Sequence, residues 1–360
     1  MKKILFALLA ATMLIGCQEK KEENVVKIGA NFTLTGDVAW WSLELKKGFD
    51  LALEEDLGQT VQVVYEDNEF KANKAVSIFN KFLQVDKVDA VVTCFSPMAE
   101  ALIPLAERSR IPLIATCTSS TNITKGKLWS FRDFFTQKEQ CSPLAEYIYS
   151  LGFRKGVYMV INDDYGIDGI NQFKERFEAL GGSIVAGETF AQLNRSSRNE
   201  VVKVLSNQPD FIFVIARDQA LITLCNQIRE MDASIQIVGI NAFDSPIIWE
   251  GLGNAGNGII FSSGYFNAEK NEVSQQFYNQ FVEKYNEEPN YNAVYGYSIL
   301  KYIARHASIT SSNEDLRQNI EQMKESSVRG ILTIDELHGV VGDIGIYKRD
   351  NGQTKLIDLQ

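Results

Sequence analysis

Two hydrophobic periods alternate along this chain. Runs of consecutive apolar residues, Val25–Ala30 (VVKIGA), Val61–Tyr65, AVVTC at 90–94 and PLIATC at 112–117, read as strands buried on both faces. Between them the apolar positions recur at helical spacing. Leu43, Gly48, Leu51, Ala52 and Leu53 mark a helix running to about Leu57. Ala75, Ile78, Phe79, Phe82 and Leu83 form the inner face of a helix over 71–85, and Ala99, Leu102, Ile103 and Ala106 that of a third. After a less regular passage, Lys125 to Cys141, the alternation resumes. It predicts helices over 143–151, 170–180, 197–207 and 219–231 around strands at 156–161, 184–186, 210–216 and 235–240. Each block predicts a doubly wound parallel sheet, so the fold class is α/β.

The last quarter departs from this rhythm. Three helices, 272–286, 291–307 and 313–325, follow in succession, and strands at 331–334 and 344–347 end the chain. Helices alone make no core here, so they are expected to pack back on the first sheet and the tail on the second. The expected lobes are 25–137 with 265–331, and 138–264 with 332–360. The chain would then cross between them near Phe135–Gln140, Ser263–Asn267 and Arg329–Thr333. Three crossings imply a hinge and a cleft between two doubly wound α/β lobes.

The stretch Val88–Thr124 brings chemistry to that cleft. Its two strands run into small hydroxyl residues, Ser96 in one case and Thr118, Ser119, Ser120 and Thr121 in the other. In a strand–helix–strand crossover both turns lie at the carboxyl edge of the sheet, where open α/β sheets bind ligands. Hydroxyl and backbone N–H donors at one point suit a small anion such as a carboxylate. Ser96 before Pro97 also fits a helix cap, and Ser119 an ordinary turn.

Charge and length narrow the partners. At 360 residues the chain accommodates about two domains, and its net charge of −10 argues against nucleic acid. The N-terminus carries Lys2, Lys3 and an apolar run from Ile4 to Ile15, too short to span a bilayer, before Leu14-Ile15-Gly16-Cys17. That string resembles a bacterial lipobox: residues 1–16 would be a signal peptide, Cys17 the lipidated residue and 17–24 a charged tether. A plain secretory signal or a short buried helix is the alternative. Cys94, Cys117, Cys141 and Cys225 lack metal-ligand spacing, and with two histidines in the chain no metal site or cofactor is expected. Cys94 and Cys117 end neighbouring strands, so a disulfide is conceivable there, and a pair of small buried thiols is the better-favoured reading.

Several strings in order, IGANFTLTGDVAWW, KKGFDLALEE, VVYEDNEFKANKAV, VDAVVTCFS, IPLIATCTSS, INDDYGIDG and PNYNAVYGYSIL, resemble the periplasmic solute-binding proteins of the branched-chain amino acid family, from Lys27 to about Asp350. The resemblance implies an interlobe site. Ser96, Cys117 and Ser119 of the first lobe would hold a carboxylate, Trp41 (or Trp40 beside it) would lie against the ligand side chain, and Tyr165 would close from the second lobe. Where amino acid binders of the family carry a carboxylate for the ammonium, this chain has Asn241, with Asp244 three residues on as a substitute or as a helix cap. Arg217 stands at a position often aromatic or uncharged. A carboxylate lost and a guanidinium gained predict a more positive pocket and a ligand with extra negative charge, unless Arg217 pairs with Asp218, Asp244 or another carboxylate.

The function implied is an extracytoplasmic, lipid-anchored receptor of an ABC importer. It would act as a monomer, touch the membrane only through its lipid, bind an amino acid or a more anionic acid, and dock on the importer's permease subunits. A ligand sensor for a separate signalling partner is the alternative. No nucleophile elbow, phosphate loop or metal-protease motif occurs, and GNAGNG at 253–258 lacks the dinucleotide spacing, so no catalytic residues are expected.

Overall fold

The computed structural model describes residues 25–191, 196–307, 312–340 and 343–359. The expected signal peptide over 1–16, the expected lipidation at Cys17 and the expected tether over 17–24 lie outside the described residues. The first sheet is built from β1 (Val26–Phe32), α1 (Ala39–Ala52), β2 (Val61–Asp67), α2 (Ala72–Lys81), β3 (Ala90–Cys94), α3 (Ser96–Ser109), β4 (Leu113–Thr116) and β5 (Ser130–Arg132). Its five strands are parallel in the order β2-β1-β3-β4-β5. Every residue of β3 and β4 is buried, as the unbroken apolar runs require of strands covered on both faces.

The second sheet takes α4 (Gln137–Ser150), β6 (Lys155–Ile161), α5 (Asp164–Ala179), β7 (Ser183–Phe190), α6 (Arg198–Leu205), β8 (Phe211–Ile215), α7 (Asp218–Met231), β9 (Gln236–Gly239), α8 (Pro246–Leu252) and β10 (Ile260–Gly264). Then come α9 (Glu272–Tyr285), α10 (Tyr291–Ala307), α11 (Asn313–Glu321), the hairpin β11 (Lys324–Ser327) and β12 (Gly330–Thr333), and finally β13 (Ile344–Asp350) and β14 (Gln353–Leu359). The seven-stranded order is β14-β13-β10-β9-β8-β6-β7, with β13 antiparallel to β10 and β14 antiparallel to β13.

The C-terminal helices return to the first sheet. A Cβ on Gly48 of α1 would come within 2.0 Å of the Ala293 carbonyl of α10, and one on Gly296 within 2.1 Å of the Leu45 carbonyl. The two backbones therefore touch, which only glycine permits. The core of this lobe runs from Val26 to Phe135 and resumes with Phe277, Val294 and Leu300.

Three of the differences from the sequence reading bear on the lobes and the site. Helix α4 begins at Gln137, six residues before Pro143, because Thr136 and Glu139 form a capping box: Glu139 N donates to Thr136 Oγ1 at 3.0 Å, and Thr136 N to the Glu139 carboxylate. Strand β10 was not foreseen, since Ser262 and Ser263 interrupt its apolar run; β9 and β13 flank it and all five of its residues are buried. Residues 332–340 do not join the second sheet. Leu332 and Val340 lie in the core of the first lobe, and Arg132 N donates to the His338 carbonyl while Val340 N donates to that of Arg132. Beside this strap a buried ion pair ties the tail to the end of the first sheet. Arg329 donates Nη1 and Nη2 to Asp133 at 2.7 and 2.9 Å, its guanidinium 4.1 Å from the Tyr295 ring centre.

Candidate functional site

At the carboxyl edge of the first sheet, two strands end in strained backbone. Phe95, after β3, has φ +77°, and Cys117, after β4, has φ +48°; neither is glycine. Each turn is pinned: Phe95 N donates to the Thr116 carbonyl at 3.1 Å, and the Thr118 hydroxyl to the same carbonyl at 3.0 Å. Phe95 occupies the capping position of α3 and has no cap to offer, so Ser96 is the first helical residue rather than the cap. Trp41, buried on α1, packs edge-on against Trp40 with ring centres 4.8 Å apart.

The opposing wall is a chain of side chains. Asp163 caps α5 by accepting from Gly166 N at 3.0 Å, and its other oxygen accepts from Arg217 Nη1 at 2.6 Å. Arg217 comes from the end of β8, beside β6 in the sheet, and its guanidinium lies 4.5 Å from the Tyr165 ring centre. Tyr165 donates its hydroxyl to Asn241 Oδ1 at 2.9 Å, and Asn241 Nδ2 reaches the Tyr291 hydroxyl at 3.5 Å. Burial pushes the Tyr165 phenol up despite the neighbouring Arg217, so it stays protonated and donates.

Between the walls is a cavity bordered by Trp41, Phe95, Ser96, Cys117 and Phe134 from one side and Tyr165, Arg217, Asn241 and Ala242 from the other. Six of the residues singled out from the sequence, Trp41, Ser96, Cys117, Tyr165, Arg217 and Asn241, meet there. Ser119 and Asp244 do not border it. Ser119 is buried, and its carbonyl accepts from Gln137 N at 2.6 Å, fixing the start of α4. Asp244 accepts from Ser263 and from the Tyr291 hydroxyl behind the wall, and burial pushes its carboxyl up to about 7. Phe95, Phe134 and Ala242 were not anticipated. A non-glycine in the left-handed region leaves no mark in sequence, and Phe134 falls in the irregular passage.

Contacts across the cleft hold the walls together. Thr121 donates both its N–H and its hydroxyl to Asp168 of α5 at 2.9 Å, while within the second wall Gln137 Nε2, at the start of α4, donates to the Tyr165 carbonyl at 2.9 Å. Cys94, Cys117, Cys141 and Cys225 are free thiols; burial and the adjoining Cys94 raise the Cys117 thiol, so it is uncharged in the wall. Among the described residues no group of three or more His, Cys, Asp or Glu gathers to hold a metal ion, and no helix is long and apolar enough to cross a membrane.

The signature of the periplasmic binding proteins matches residues 25–354, over nine-tenths of the chain. This chain belongs to the periplasmic binding protein family. It is similar to the branched-chain amino acid transporter substrate binding protein LivJ of Streptococcus pneumoniae, solved with isoleucine, at 25% identity and TM-score 0.86 over 93% of this chain and 99% of that one. The leucine binding protein LivK of Thermotoga maritima superposes with TM-score 0.85 at 23% identity, over 93% and 98% of the two chains. A solute binding protein of an ABC transporter from R. palustris, solved with benzoate, does so with TM-score 0.81 at 20% identity, over 93% and 96%. Among curated proteins it matches a Leu/Ile/Val-binding protein homologue of Brucella abortus at 25% identity, over 51% of this chain and 48% of that protein. The chain thus spans about half the length of the curated relatives it matches. These likenesses give it the fold of a type I periplasmic binding protein, with two α/β lobes.

Proposed function

We propose that this periplasmic binding protein captures a small carboxylate-bearing solute between its lobes and presents it to the permease subunits of an ABC importer. It acts outside the cytoplasmic membrane as a monomer, held there by a lipid on Cys17, and it releases its ligand unaltered. The lobes of this reading are 25–137 with 265–331, extended by the 332–340 strap, and 138–264 with the chain from Ile344 on. The observation that carries it is a single cavity whose two walls come from the carboxyl edges of two sheets, with the Ser96 hydroxyl and the start of α3 on one side and Arg217 on the other. The amino end of a helix and a guanidinium both favour a carboxylate. The solutes with which LivJ and the R. palustris protein were solved, isoleucine and benzoate, are both small carboxylates.

A thermal-shift screen of amino acids and other small carboxylic acids, with titration calorimetry on the hits, tests the reading. A ligand present at about 100 times its Kd stabilises the folded form by about 2.7 kcal/mol, readily seen as a rise in Tm. A panel in which no carboxylate raises Tm overturns it.

A further inference from the structure

The charge pattern of the cavity narrows the ligand further, and this step rests on the carboxylate reading just given. An amino acid carries an ammonium beside its carboxylate. Enclosing that group in a cleft is costly unless acceptors surround it, preferably a carboxylate. Among the described residues no Asp or Glu borders the cavity. The carboxylates around it are engaged elsewhere: Asp163 takes Arg217 and Gly166 N, Asp168 takes Thr121, and Asp244 takes Ser263. Asp218, one residue beyond Arg217, is buried and does not reach the cavity. Two of the neutral acceptors there already hold a donor, Asn241 Oδ1 that of Tyr165 and the Tyr165 carbonyl that of Gln137, and neither carries the full charge that an ammonium calls for.

The same wall disfavours a second anionic group. Arg217 is the one Lys, Arg or His among the residues bordering the cavity, and Asp163 already offsets its charge. This argues against the more anionic ligand expected from the carboxylate lost at Asn241 and the guanidinium gained at Arg217. What remains of the lining is apolar and ring-rich: Trp41, Phe95, Phe134 and Tyr165, with Cys117 and Ala242 between them. We infer that the ligand is a monocarboxylate with an apolar, ring-bearing body and no amino group, and that Arg217 and Asn241 set this choice.

Calorimetry of the mature protein with matched pairs near neutral pH decides it. The pairs are hydrocinnamate against phenylalanine, isocaproate against leucine, and benzoate against phthalate. The first member of each pair is expected to bind at least about tenfold more tightly than the second. Phenylalanine or leucine binding as tightly as its des-amino partner, or phthalate as tightly as benzoate, overturns the inference and leaves the carboxylate reading standing. Binding by no member of any pair, with no Tm shift for any other carboxylate, sinks the carboxylate reading and the inference with it. Asn241→Glu supplies the missing acceptor, so a folded variant should move the hydrocinnamate-to-phenylalanine ratio about tenfold or more toward phenylalanine. An unchanged ratio in a variant that keeps the wild-type circular dichroism spectrum contradicts the role given to Asn241. Should that variant not fold, the wild-type ratios alone decide.

Discussion

The two walls of the cleft are held by different means. The first is backbone: strand ends at Phe95 and Cys117 forced into positive φ, tied together through the Thr116 carbonyl, with Ser96 standing at the head of α3 outside the capping position. The second is side chain on side chain, from Asp163 through Arg217 and the Tyr165 ring to Asn241 and Tyr291. A wall fixed by backbone can present one kind of grip whatever side chains surround it. A wall made of linked side chains ties ligand choice to stability, because each link serves its neighbour as well as the ligand.

That contrast yields four outcomes, in order of size. Arg217→Ala removes the cation from the second wall and leaves the Asp163 carboxylate without its ion pair, so calorimetry should show affinity for the best carboxylate falling about 100-fold, roughly 3 kcal/mol. Unchanged affinity would reduce Arg217 to a structural ion pair. Tyr165→Phe deletes the hydroxyl that Asn241 accepts, and urea unfolding should show a loss of about 1–2 kcal/mol together with weaker binding. Ser96→Ala, by contrast, should weaken binding about tenfold while stability stays within about 0.5 kcal/mol, since the hydroxyl is not a cap. A stability loss of about 1 kcal/mol or more, with binding intact, would make Ser96 a structural residue and erase the contrast.

The smallest effect is a pH dependence at Asp218. This carboxylate is buried, neither oxygen has a hydrogen-bond partner, and burial pushes it up to about 7, with Arg217 pulling the other way and Asp37 of the opposite lobe adding to the rise. A carboxyl raised on folding binds its proton more tightly in the native state. Its contribution is therefore fully present below the ordinary carboxyl value near 4 and is lost as pH rises through about 7. Asp218→Asn should accordingly be the more stable form above pH 7, and its thermal stability should fall less than that of the wild type between pH 5 and pH 8. Parallel curves for the two proteins would contradict this.

The sequence carried the first wall better than the second for a physical reason. Unbroken apolar runs mark β3 and β4 without ambiguity, and a crossover between them puts their ends side by side, so Ser96 could be placed from local pattern, while the resemblance added Cys117. The second wall depends on strand order. Asp163 and Arg217 are 54 residues apart in the chain and meet because β6 and β8 are neighbours in the sheet, which no local period reveals. Asp218 and Asp244 were the partners named for Arg217 beside the general case of another carboxylate, and it is that case, Asp163, that the structure shows. Ser119 was misplaced because a turn hydroxyl and a turn carbonyl look alike in sequence; here the carbonyl is the working group, clamping Gln137. The tail was misread for a similar reason, since a short apolar run such as Ile331–Ile334 does not say which sheet it will meet.

The most direct test of the account is a crystal structure of the mature protein with its tightest-binding small carboxylate. The account predicts the ligand between the walls, its carboxylate within hydrogen-bonding distance of Ser96 and the start of α3 or of Arg217, and its body against Trp41. A ligand bound elsewhere on the molecule, or one in the cleft whose carboxylate meets neither Ser96 nor Arg217, would contradict it.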